Sequence, residues 1–109
     1  MKNKTSLLIS LHDLKCKLYK DKAVIDKNVK CSIDLLRSHS SPIFKARGVI
    51  ETSISLPITS SDLERYSHFE LDFDEPIEGI SRILIVITEV NWENKKRARF
   101  ESLSYKSSI

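Results

Sequence analysis

With 109 residues, of which 40% are apolar and 30% charged, the chain has the size of one small globular domain and a composition that excludes a disordered protein. Its two glycines, Gly48 and Gly79, are too few for the phosphate-binding loops of P-loop and classical dinucleotide-binding proteins. The net charge of +3 is smaller than a uniformly basic nucleic-acid-binding protein would carry, and we expect one domain over residues 1–109 that needs no cofactor.

The first forty residues fit two interpretations. Residues 7–11 and 14–18 each alternate between apolar and polar side chains, but the two alternations are one residue out of phase. A β-bulge at His12 and Asp13 would restore the phase and give strands. The same leucines also follow helical spacing, and residues 22–37 share this ambiguity. We favour strands, because β-branched residues are frequent in the second of these segments.

Cys16 and Cys31 are the two cysteines of the chain. In a hairpin that places them opposite each other, apolar residues would also face apolar residues on both sides of the pair. The facing pairs would be Leu14 with Ile33 and Leu18 with Val29. Because the chain has no C-x-x-C motif and no cluster of histidines, the usual spacing of zinc ligands is missing. We expect two reduced thiols in the protein core and no metal.

The clearest alternation covers residues 49–58 and predicts a half-buried strand from about Phe44 to Ile58. Its inward face would consist of Ile50, Thr52, Ile54, Leu56 and Ile58. Ser61 and Glu64 have the spacing of a capping box and predict one helical turn near residues 60–66.

Three further strands are predicted in the second half of the chain. Residues 69–74 alternate between apolar and acidic side chains, and residues 76–79 form a turn. The continuous apolar run over residues 83–87 predicts a central strand covered on both faces. The polar residues 91–96 predict a hairpin loop, which the last strand follows over residues 97–105.

Six to seven strands with one short helical turn predict a mainly β fold. A single small antiparallel β-sandwich or barrel would bury the inward face of each strand. The alternative is an α+β domain in which two N-terminal helices cover a four-stranded antiparallel sheet.

Two charged groups are the candidate binding residues. The acidic group is Glu70, Asp72 and Asp74, which would share one strand face. Their carboxylates would repel one another unless cations lie close to them. The basic group surrounds the only tryptophan and combines cations with an aromatic ring, as surfaces that bind phosphates or bases do. Its members are Trp92, Lys95, Lys96, Arg97 and Arg99. Catalytic residues are not predicted, since the three histidines, His12, His39 and His68, have no motif around them.

These features favour a non-enzymatic protein-binding or adaptor module, such as an immunity protein, an inhibitor or an assembly subunit, that acts through a charged β-surface. One alternative is a single-stranded nucleic-acid-binding protein that uses the basic hairpin over residues 92–100. Another is a small hydrolase or metal-dependent enzyme of unrecognised type. A protein partner is expected, and self-association is compatible with the sequence.

The chain is expected to be cytoplasmic. The apolar run over residues 7–11 is too short for the apolar region of a secretory signal. No apolar stretch is long enough to span a membrane, and we therefore expect no membrane partner.

Overall fold

The computed structural model describes residues 5–38, 43–102 and 105–106. It contains seven strands and one short helix, so the mainly β prediction is confirmed and the α+β alternative is wrong. In chain order the elements are β1 (Thr5–Lys20), β2 (Ala23–Ser38), β3 (Ile43–Glu51), α1 (Ser60–Glu64), β4 (His68–Ile77), β5 (Ile80–Val90), β6 (Arg97–Ser102) and β7 (Tyr105–Lys106).

Six of the strands close into an antiparallel barrel. The order around the barrel is β2-β1-β4-β5-β6-β3, and pairing between β2 and β3 closes it. The two residues of β7 extend the sheet beside β3. Closure removes most of the unpaired strand edges that an open sheet would present.

Because consecutive strands run in opposite directions, three connections lie at the same end of the barrel. They are the turn at Asp21 and Lys22, the connection over residues 52–67, and the loop over residues 91–96. We call this end the loop end. The connection over residues 52–67 folds back against the barrel, because its residues Leu56 and Ile58 are buried in the core.

The β1–β2 hairpin confirms one sequence prediction and corrects another. The register of β1 shifts between Leu11 and Leu14, and Asp13 has a φ of 54°, so the bulge at His12 and Asp13 is present. Cys16, however, lies opposite Val29 and not opposite Cys31. Both thiols nevertheless point into the core, and no disulfide joins them.

Three boundaries differ from the prediction for local reasons. β3 ends at Glu51. The N–H of Thr52 still donates to the carbonyl oxygen of the facing Lys96 at 2.8 Å, but the N–H of Lys96 turns away to the side chain of Asn94, so the ladder with β6 is not continued. The helix lies where it was predicted, but its capping box joins Thr59 to Asp62 and not Ser61 to Glu64. The predicted last strand over residues 97–105 is described as β6 and β7, and residues 103–104 between them lie outside the described residues.

The core lies inside the barrel and the outer face of the strands is open to solvent. Phe100, Leu18, Ile50, Leu71 and Ile85 are among its largest fully buried side chains. The prediction that both faces of residues 83–87 are covered is wrong, because Leu84 points outward and is 45% exposed.

Candidate binding surface at the loop end

The predicted acidic row on β4 is paired with cations of the neighbouring strands. Arg82 of β5 lies 3.4 Å from Glu70 and 3.5 Å from Asp72. Lys17 of β1 lies 3.3 Å from Asp74. These are cross-strand ion pairs between neighbouring strands, and such pairs stabilise a sheet modestly when they are exposed. The three carboxylates therefore have partners without any ligand.

The predicted arginines of β6 face carboxylates on the strands beside it. Arg97 is the register partner of Glu51 on β3, and Arg99 is the register partner of Glu89 on β5. Only the second pair is close, with 3.9 Å between Arg99 Nε and Glu89 Oε1. The guanidinium of Arg97 has no ion pair within 4 Å among the residues that the structure describes.

The loop over residues 91–96 has a defined conformation and presents Trp92 to solvent. The carbonyl oxygen of Asn91 accepts the N–H of Lys95 at 2.7 Å. The Asn91 side chain accepts the N–H of Glu93 at 3.0 Å, and the Asn94 side chain accepts the N–H of Lys96 at 2.8 Å. Trp92 is 49% exposed, and the ammonium of Lys95 lies 5.8 Å from the centroid of its ring, within the range of a cation–π interaction.

Three hydrogen bonds join this loop to the segment that follows β3. The N–H groups of Thr52 and Leu56 donate to the carbonyl oxygens of Lys96 and Lys95, each at 2.8 Å. The hydroxyl of Ser55 donates to the carbonyl oxygen of Asn94 at 3.1 Å. The joined segments carry Ile54, which is 42% exposed, beside the loop of Trp92.

A buried carboxylate fastens the same segment to β2. Asp26 accepts the N–H of Asn28 at 2.9 Å, and it accepts both the N–H and the hydroxyl of Ser53 at 2.7 Å. Burial alone would raise the pKa of Asp26, but these hydrogen bonds outweigh it and lower the pKa below its usual value. Asp26 is therefore ionised at neutral pH, and its charge is satisfied by internal donors.

The exposed large apolar side chains concentrate at the loop end. Five such residues are found among the described residues, and four of them lie there, namely Val24, Ile54, Tyr66 and Trp92. Leu84 on the flank of the barrel is the fifth. We define the loop-end patch as Val24, Ile54 and Trp92 with the neighbouring cations Lys95 and Lys96. All five lie on segments that the hydrogen bonds above hold together.

Sequence reasoning identified Trp92, Lys95 and Lys96 but missed Val24 and Ile54. Val24 does lie on a strand, β2, as predicted, but the sequence gives no sign that its side chain is exposed. Ile54 lies beyond the end of β3 and not on the predicted inward face. The missed signal at Ile54 is the flanking pair Ser53 and Ser55, whose side chains bond to other segments and turn this part of the chain out of the sheet.

The structure offers no support for a catalytic or metal site in the part of the chain that it describes. His12 and His68 are both exposed and lie on different strands, and His39 lies outside the described residues. No group of three or more histidine, cysteine or acidic residues is arranged to hold a metal ion there. Nor does any helix of these residues have the length and apolar character needed to cross a membrane.

Comparisons of the chain with protein-family models, with curated proteins and with solved structures find no match. The loop-end patch is therefore interpreted from its own geometry and chemistry.

Proposed function

We propose that this protein is a non-enzymatic protein-binding module, of the immunity, inhibitor or assembly-subunit kind, and that the loop-end patch binds its partner. The observation that carries the proposal is the attachment of the segment that contains Ile54 to the loop of Trp92 by three hydrogen bonds. Two exposed apolar residues are thereby held in fixed positions on one surface.

A preformed apolar surface suits association with another protein. Covering an exposed apolar side chain on binding contributes roughly 25 cal/mol per Å² of buried apolar area. A patch that is already ordered loses little conformational entropy when it binds. Tryptophan and arginine are also enriched among the residues that dominate binding energy, and Arg97 begins β6 directly after the loop of Trp92.

Strand β6 is the part of the charged β-surface that we assign to partner binding. Arg97 and Arg99 continue outward from the loop-end patch along one strand face, where they could set the orientation of a bound partner. We leave Glu70, Asp72 and Asp74 outside the binding surface, because each already lies beside a cation of the chain, Arg82 or Lys17.

Site-specific photocrosslinking tests the proposal. A photoreactive amino acid at position 54 reports contacts of the loop-end patch, and the same amino acid at position 84 is a matched control, since Leu84 has similar exposure on the barrel flank. In cells that express the chain, we expect one protein adduct from position 54, no such adduct from position 84, and loss of the adduct in Trp92→Ala. Equal adducts from both positions, or none from position 54, would contradict the proposal.

A further inference from the structure

We infer that the part of the partner that covers the loop-end patch is an acidic protein segment with at least one apolar side chain. This inference rests on the proposed function and specifies its ligand. The argument comes from the charges around the patch and from the chemistry of its apolar residues.

Cations outnumber carboxylates on the segments that carry the patch. Residues 24–30, 51–56 and 91–97 contain five cations, Lys27, Lys30, Lys95, Lys96 and Arg97, and three carboxylates, Asp26, Glu51 and Glu93. Asp26 is buried and hydrogen-bonded to Asn28 and Ser53. The solvent-facing balance is therefore five cations against two carboxylates, which favours an acidic ligand.

These cations are available to a partner. None of Lys27, Lys30, Lys96 and Arg97 forms an ion pair within 4 Å with any other described residue. Lys95 lies over the ring of Trp92, so its charge stays within the patch. An acidic segment could therefore pair with several cations without first displacing an internal carboxylate.

The apolar residues favour a protein segment over a nucleic acid. Proteins that bind single strands stack successive bases on several aromatic rings, whereas Trp92 is the one exposed aromatic ring on the segments that carry the patch. Tyr66, the other exposed ring of the loop end, lies on a different segment, after α1. Val24 and Ile54 are aliphatic and exposed, so they offer no ring for stacking and no hydrogen bond to a phosphate. Apolar side chains of a protein would cover them.

Fluorescence of Trp92 gives a direct test, because it is the only tryptophan of the chain. The probes are a short peptide of glutamate and leucine, its counterpart with lysine in place of glutamate, and a thymidine oligonucleotide, all at low ionic strength. We expect a saturable blue shift with the glutamate peptide alone. Lys96→Glu should weaken its affinity by about tenfold, whereas Lys45→Glu, an exposed site on β3 towards the opposite end of the barrel, should not change it.

The outcomes separate this inference from the proposed function. No shift with the glutamate peptide, or equal shifts with both peptides, would overturn the acidic ligand, while an adduct from position 54 would still support a protein partner. A shift with the oligonucleotide alone would overturn both, because it would assign the patch to nucleic acid. An unchanged affinity in Lys96→Glu would also overturn the inference, since the cations would then not contribute.

Discussion

Ser53 donates both its backbone N–H and its hydroxyl to the carboxylate of Asp26, at 2.7 Å each. The carboxylate belongs to β2 and Ser53 belongs to the segment that leaves β3, so this contact joins two parts of the chain that are far apart in sequence. It places Ile54 of the loop-end patch directly after a fixed residue.

Asp26→Asn should destabilise the barrel. The NH₂ group of the new side chain would face an N–H or hydroxyl group of Asn28 or Ser53, and two donors cannot form a hydrogen bond with each other. An unsatisfied buried polar group costs about 1–3 kcal/mol, and we expect a loss of that size in urea denaturation at pH 7. Asp62→Asn, which alters the capping box of α1, provides a comparison variant with a carboxylate elsewhere at the loop end. A wild-type urea midpoint in Asp26→Asn would contradict the role of this carboxylate.

The stabilising effect of Asp26 should depend on pH. Its pKa is lower in the folded state than the usual value of 3.8, so the folded protein binds its proton less readily than the unfolded chain does. The contribution is therefore fully present above the unfolded pKa and is lost as the pH falls through the folded pKa. The difference in unfolding free energy between wild type and Asp26→Asn should shrink from about pH 5 downwards, which a pH series of denaturation curves would measure.

Tyr66 occupies a backbone position that glycine fills more easily. It follows α1 with a φ of 52°, and its N–H donates to the carbonyl oxygen of Leu63 while the N–H of Ser67 donates to that of Asp62. This is a Schellman motif, whose left-handed residue is usually glycine. Tyr66→Gly should therefore stabilise the protein by about 1 kcal/mol, measured by chemical denaturation.

Tyr66→Ala separates the effect of the backbone from the effect of the ring. Alanine also lacks the ring but keeps the steric penalty of a Cβ atom at positive φ, so it should not stabilise the protein. If both variants have the same stability, the left-handed backbone is not the cause. Tyr66 is 65% exposed, so little packing is lost in either variant.

Periodicity predicted the faces of the strands but not their register. Shifting Cys16 from opposite Cys31 to opposite Val29 moves the pairing by two residues, and a shift of two keeps the same side chains on the inward face. The pattern cannot distinguish these registers. The tight turn and the register shifts between Cys16 and Tyr19 decide between them. The turn residues Asp21 and Lys22, both at positive φ, lack the Asn-Gly signature that would have identified the turn.

The sequence predicts Trp92 and the cations of the loop-end patch but not Ile54. Trp92 and its cations are adjacent in sequence, so composition identified them as a group. Ile54 joins them through hydrogen bonds from Thr52, Ser55 and Leu56 to the loop, and these contacts depend on the pairing of β3 with β6. Local alternation therefore assigned Ile54 to an inward face that it does not occupy.

Gly48 allows β3 to approach β2 closely. A Cβ atom at this position would lie 2.0 Å from the carbonyl oxygen of Ser32 and 3.0 Å from the Cα of Ile33, and neither backbone atom can move without disturbing the pairing. Gly48→Ala should therefore lower the free energy of unfolding by more than about 2 kcal/mol. Val49→Ala, at the next residue and on the outer face, should cost less than about 1 kcal/mol, and equal losses in urea denaturation would contradict the close approach.

The two core thiols should be unreactive while the barrel is folded. Cys16 and Cys31 are each 1% exposed, and the Sγ of Cys16 lies 3.7 Å from the carbonyl oxygen of Val29. A hydrogen bond with Cys16, together with burial, raises the pKa of the Cys31 thiol, so the reactive thiolate is scarce at neutral pH. We expect a disulfide reagent to label neither cysteine in buffer and both in denaturing urea, whereas a cysteine placed by Ser81→Cys at an exposed site on β5 should react at once. Fast labelling of Cys31 in the native protein would show that the β1–β2 hairpin opens far more readily than its burial implies.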